Sequence, residues 1–235
     1  MKRNTLLAAV ALLATSLYAA DSPKDAITAA AKKLGDQANY SWRTTTVVPE
    51  GAPFRPGPIE GKTEKEGLVS VKWTFGVNTS QAVRKGDKGA VTNREGEWQS
   101  LADVEKEEGF GPFRARMVRN LRTPAVEAAA LAEGAKSLKK DGQVYSGDLT
   151  EETAKSLMTF RRGAGGDGPA VSNAKGSVKF WLNADGALTK YEYKVQGSMN
   201  FNGNDQDVDR TTTVEVKEVG STKVSVPEEA KKKMS

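Results

Sequence analysis

Between Gly176 and Val226 the side chains alternate sharply enough to assign two faces to an extended chain. Tyr191, Tyr193, Val195, Met199 and Phe201 share one parity, while Lys190, Glu192, Lys194, Gln196 and Asn200 share the other. Successive strand residues point to opposite sides, so the segment reads as a meander with one apolar and one wet face. An antiparallel sheet of that kind must cover its apolar side. Function turns on whether protein alone covers it or protein together with a ligand.

The same pattern recurs upstream. Val69, Val71, Trp73 and Phe75 oppose Ser70, Lys72 and Thr74, and Tyr40, Trp42, Thr44 and Thr46 alternate in a run that ends at Pro49. Shorter strands are expected at Ala82 to Lys85 and Gly89 to Asn93, joined at Gly86-Asp87, with Gly96 turning the chain toward Trp98. Residues 49–61 hold Pro49, Pro53, Pro56 and Pro58, which cannot donate to a central ladder, so a loop is expected there. Another strand is expected from Gln143 to Leu149. Val178, Phe180 and Leu182 lead to a turn at Asp185-Gly186, residues 202–209 read as a polar tip, and Val214, Val216, Val224 and Val226 close the strand pattern.

Helical spacing interrupts the strands. Ala26, Ile27, Ala30, Ala31 and Leu34 predict an N-terminal helix that stops at Gly35. Phe110, Phe113, Met117 and Leu121 form a stripe, with Arg114, Arg116, Arg119 and Arg122 on the remaining surface. Thr123-Pro124 opens a second helix through Val126 and Leu131 toward Gly134. Thr150 begins a third, with Ala154, Leu157 and Met158 behind it, and Pro227-Glu228-Glu229 a last one.

Lys2 and Arg3 stand ahead of an apolar and small-residue run from Leu6 to Leu17, followed by Ala19, Ala20 and Asp21. This reads as a secretory signal peptide over residues 1–20, cleaved near Ala19 or Ala20, and the run is shorter than the roughly 20 residues a membrane span needs. The expected product is a single domain over 21–235, located in the periplasm or secreted, without a permanent membrane anchor. Its helical insertion is expected around 101–134 and a flexible loop at 163–174. The 37% hydrophobic content is low for that length, as expected where many strands are wet on one side.

The chain has no cysteine and no histidine. Disulfides, thiol chemistry and a lipidated cysteine are excluded, as are histidine-based triads and the commonest zinc ligand. Without Lys2 and Arg3 the charge balance is about +3, too mild to argue for nucleic acid. Gly163 to Gly168 spells G-x-G-x-x-G but opens no helix onto which a phosphate could bind. Asp205, Asp207 and Asp209 begin like a calcium loop, yet Arg210 stands where that loop needs glycine and Val216 where it needs glutamate. Acids are plentiful, but none reads as isolated among apolar residues where burial would raise its pKa. No catalytic residue, metal or cofactor is therefore expected, and the chain reads as a non-enzyme.

An export signal, a helix, a group of half-wet strands, an inserted helix pair and a second group of strands follow in order over nearly the whole mature chain. This order resembles the lipoprotein-localisation factor (LolA-like) superfamily. Three phrases look like its periplasmic members: Val144-Tyr145-Ser146-Gly147-Asp148-Leu149-Thr150-Glu151-Glu152, the hairpin from Phe180 to Lys190, and the ending from Val224 to Ala230. The resemblance implies an α+β fold, an antiparallel, strongly curved sheet or unclosed half-barrel with helices inserted mid-chain covering its concave face. It also implies a binding protein that carries or senses a lipid or acylated protein, with an envelope protein as a further partner. Trp73, Phe75, Tyr191, Tyr193 and Val195 would line the sheet side of the cavity, with Phe113, Met117 and Leu121 as its lid. The alternative is a non-enzymatic envelope structural or protein-interaction module in which the same side chains form a solid core.

Overall fold

The alternating segments pair into one eleven-stranded antiparallel sheet in a computed structural model that describes residues 22–52, 55–75, 78–159, 169–201 and 203–234. Its strands are β1 (Asn39–Val47), β2 (Ile59–Glu64), β3 (Leu68–Phe75), β4 (Asn78–Lys85), β5 (Lys88–Thr92), β6 (Trp98–Ser100), β7 (Lys139–Asp141), β8 (Val144–Asp148), β9 (Ala170–Leu182), β10 (Leu188–Phe201) and β11 (Asn204–Lys217). The spatial order is β6-β5-β4-β3-β2-β1-β11-β10-β9-β8-β7. The sheet is not closed. Each edge strand has only three residues, which limits edge-to-edge pairing with another chain. The unclosed half-barrel with helices inserted mid-chain is thus the architecture adopted.

Strand register shows where the apolar face runs. Tyr145, Phe180, Tyr191, Val214, Thr44, Ile59 and Trp73 are successive Cα partners across seven neighbouring strands, so they form one row on one face. Helices α1 (Pro23–Gly35), α2 (Leu101–Glu105), α3 (Gly111–Arg119) and α4 (Pro124–Glu133) bury Ile27, Leu34, Leu101, Val104, Val118 and Leu131 in the same core cluster as that row. Helix α5 (Glu151–Met158) brings Ala154 and Met158 against Val195 and Met199 in a second cluster. Helix α6 (Glu228–Lys233) lies on the opposite face, where Ala230 packs with Val83 and Ala90.

Ser22 and Asp25 form a reciprocal capping box at the start of α1. Thr150 caps α5 by accepting from the Thr153 amide. Thr150→Ala removes that acceptor and is expected to destabilise the protein by about 1 kcal/mol, read as a lower urea midpoint at unchanged m-value.

Several elements depart from expectation. Strand β2 starts at Ile59, inside the span expected to be a loop, and its Gly61 lies under the Trp42 ring. A Cβ at Gly61 would sit 2.1 Å from Trp42 Cζ2, so glycine is the residue that lets the indole lie flat on the sheet. Strand β9 begins at Ala170, so residues 170–172 are paired with β10 and 173–174 form a bulge in the strand, instead of the end of the expected flexible loop. The expected tip at 202–209 is mostly ladder, because β11 already begins at Asn204. Asp205, Asp207 and Asp209 there accept from Asn200, Ser198 and Gln196 at 2.7–2.8 Å, a cross-strand series and not a calcium loop. Val224 and Val226 belong to no strand.

Helix α3 is rotated from the expected stripe. Gly111, Ala115 and Val118 are its buried residues, while Phe110 is 76% exposed and Phe113 is 40% exposed. Small residues win because the helix approaches closely: a Cβ on Gly111 would come within 2.4 Å of the Val104 carbonyl oxygen. Arg114 is not on an open surface either, since it donates to the Thr92 carbonyl at 3.0 Å and pairs with Glu107 at 3.4 Å. The signal-peptide reading and the G-x-G-x-x-G run fall outside the described residues.

Candidate functional site

The helix-covered face carries a polar seam between its two apolar clusters. Tyr193, which packs against both clusters, is only half-buried, as is Leu157 on α5. On the row of Tyr193, the successive partners are Thr212 on β11 and Thr46 on β1, whose hydroxyls are 3.3 Å apart. Arg210, on the next row, is the partner of Val195. Ile59, Met117, Leu121 and Ala129, all half-buried, border the seam's larger cluster.

Helix α4 lowers Glu127 onto this face. The Tyr191 hydroxyl donates to Glu127 Oε2 at 2.6 Å, and the Tyr193 hydroxyl lies 3.4 Å from Oε1. Glu127 is half-buried as a residue, but its carboxyl end is hemmed in by protein, and desolvation raises its pKa above the ordinary 4.5. The two phenol donors and the nearby charge of Arg122 oppose that shift without cancelling it. Burial and the facing carboxylate in turn push both tyrosine hydroxyls well up, so they remain donors throughout the physiological range. Glu127 therefore ties α4 to β10, with one short bond and one slack one.

Two arginines on this face reach the ends of covering helices. Arg84 on β4 donates to the Leu121 carbonyl at 3.1 Å, just beyond α3, and its Nε is sealed without a partner. Arg210 donates to the Leu157 carbonyl in the last turn of α5, where the helix dipole is negative. Among the described residues no carboxylate forms an ion pair with Arg210. Burial lowers its pKa, and only the neighbouring Tyr193 opposes the shift.

No family model matches the chain, and no curated protein does. Among solved structures, it is similar to LprF from Mycobacterium bovis at 11% identity, over 88% of this chain and 97% of that one, with a TM-score of 0.47. It is also similar to the lipoprotein LppX from Mycobacterium tuberculosis at 11% identity, over 87% and 96% of the two chains, with a TM-score of 0.46. These are likenesses in the course of the chain. The chemistry of the site rests on this chain's own residues.

The sequence-predicted residues are not equivalent in the fold. Trp73 is 7% exposed, and Tyr191 and Val195 are fully covered. Tyr193, Met117 and Leu121 are the half-buried members, brought to the same face from β10 and from α3 with the turn beyond it. Phe113 is 40% exposed, and the Phe75 side chain lies outside the described residues. Sequence reasoning missed Glu127, Arg210, Thr46 and Thr212. The expectation that no acid is isolated among apolar residues is corrected by Glu127, the one charged residue from Pro124 to Ala132. Arg210 was legible too, since it shares parity with Thr212 and Val214. Among the described residues no group of three or more His, Cys, Asp or Glu side chains could hold a metal ion, and no helix is long and apolar enough to cross a membrane.

Proposed function

We propose that this protein is an exported, non-enzymatic binding protein that holds a lipid or a lipoprotein acyl chain against the concave face, as a carrier or sensor. One observation supports the reading above the others: Tyr193 and Leu157, large side chains where the two apolar clusters meet, are left half-buried, as are Met117 and Leu121 on the larger cluster. Energetics make such a site sufficient without a catalytic group. Ten methylenes moved out of water contribute about 8 kcal/mol before ordering costs. In this reading Tyr193, Met117, Leu121 and Ile59 contact the chain, while Trp73, Tyr191 and Val195 support them from beneath.

The test is solvent extraction of the purified protein with mass spectrometry of the extract, together with displacement of an apolar fluorescent probe. A co-purifying or displaceable lipid is expected. Met117→Lys and Tyr193→Asp place a charge where the chain would lie, and each is expected to weaken binding at least about tenfold while the far-ultraviolet circular dichroism spectrum is kept. No lipid bound and none bindable sinks the carrier reading.

The second reading, an envelope interaction module, draws on a specific feature: Phe110 is 76% exposed and Val126 on α4 is 56% exposed. It predicts that Met117→Lys unfolds the protein and that Phe110→Ser abolishes association with a protein partner.

A further inference from the structure

The seam holds a cation whose hydrogen-bonding capacity is largely unused. Arg210 stands on the helix-covered face, between Val208 and Thr212 in parity and beside Val195 in register. Its guanidinium has five N–H donors. One interaction is accounted for, to the Leu157 carbonyl at the end of α5. The others meet no acceptor among the described residues, and none of its nitrogens is among the buried side-chain atoms sealed from solvent without a partner. Arg84, the corresponding arginine under α3, differs on this point: its Nη1 reaches the Gly86 carbonyl and its Nε is sealed.

An arginine placed among apolar side chains without a carboxylate is costly, since the charge is partly desolvated and no opposite charge is paired with it to repay that loss. A helix C-terminus offsets only part of it. The acid closest in role, Glu127, is committed to the two tyrosines and forms no ion pair with Arg210. What the site lacks is an oxyanion, and an acyl chain lying along Met117, Leu121 and Tyr193 could bring one.

On the basis of the lipid-binding reading, we infer that the ligand of the concave face carries an anionic oxygen group, a carboxylate or a phosphate, which pairs with Arg210 at the α5 end of the seam while its hydrocarbon lies toward α3. Arginine suits this role because its planar fork offers two parallel N–H groups to carboxylate and phosphate alike. The Tyr193 hydroxyl, which donates to Glu127 at 3.4 Å, feels the charges of both Glu127 and Arg210.

The experiment compares three ligands of equal chain length on the whole protein: laurate, dodecyl phosphate and uncharged methyl laurate. Each displaces an uncharged naphthylamine probe at pH 8 and constant ionic strength. At least one anion is expected to bind about tenfold or more tightly than the ester, the factor that a hydrogen bond to a charged group contributes. The laurate and phosphate arms distinguish the two oxyanions. In Arg210→Met the anion-to-ester ratio is expected to fall to about one, and in Arg210→Lys to an intermediate value. If Arg210→Met does not fold, the wild-type ratio and the lysine variant decide the matter. Equal affinities for all three ligands overturn the head-group inference and leave lipid binding standing. A ratio that survives in Arg210→Met, or in Arg210→Lys at the full wild-type value, also overturns it. If none of the three binds, both the inference and the lipid-binding reading fail.

Discussion

Phe180→Ala is expected to lower the unfolding free energy by about 3–5 kcal/mol, while Met117→Ala is expected to cost no more than about 1 kcal/mol. Phe180 is fully covered, sits between Tyr145 and Tyr191 in the row that crosses the sheet, and has its ring centroid 6.3 Å from that of Tyr191. Its truncation removes an aromatic side chain from a site where strands fix the neighbours on both sides, so the cavity cannot collapse. Met117, at the end of α3, is half-buried, so less apolar surface is lost and little void is created. Urea unfolding at constant m-value measures both. The contrast maps the face: closely packed at Phe180 between β8 and β10, more loosely covered at Met117 on α3. If Met117→Ala costs as much as Phe180→Ala, α3 packs as tightly as the rest and the room assigned to a ligand is absent.

Parity was the most dependable guide in the sequence, because strand geometry leaves no choice of face. Trp42, Trp73, Phe180 and Tyr191 all lie on the helix-covered side, as their alternation predicts. Strand β2 escaped notice because Gly61, Lys62 and Glu64 have little β-propensity, and the strand exists through its neighbours β1 and β3 on either side. Helix α3 misled for a different reason. Counting large apolar residues assigns the buried face to Phe110 and Phe113, whereas close approach to α2 selects Gly111 and Ala115.

The candidate site was half legible. Its apolar members came from periodicity, but its charged members required the two patterns to be read against themselves: a lone acid in an alanine-rich helix, and a lone base on the apolar parity of β11. Which partners those groups would find depends on contacts between α4 and β10, 64 residues apart in sequence for Glu127 and Tyr191, and no local pattern encodes such a contact.

Tyr191→Phe is expected to cost about 1–3 kcal/mol at neutral pH, since it strips the Glu127 carboxyl of its 2.6 Å donor inside the protein. In a Glu127→Gln background the same change is expected to cost only about 0.5–1.5 kcal/mol, as the bond it removes is then between neutral groups. The pH dependence follows from the raised Glu127 pKa. Folding favours the protonated form, so this group's stabilising contribution is complete below the ordinary value of 4.5 and is lost as pH rises through the folded value. The stability of Glu127→Gln relative to wild type should therefore rise with pH above 4.5 and level off once the folded carboxyl has ionised. Tyr191→Phe removes one of the interactions holding that pKa down, so its own decline should extend to higher pH than that of wild type. Urea titrations of the four proteins between pH 4 and pH 8 read all of these differences. Superimposable curves for wild type and Glu127→Gln would mean that the carboxylate is freely hydrated, in which case the seam is open water and not the sheltered floor of a binding site.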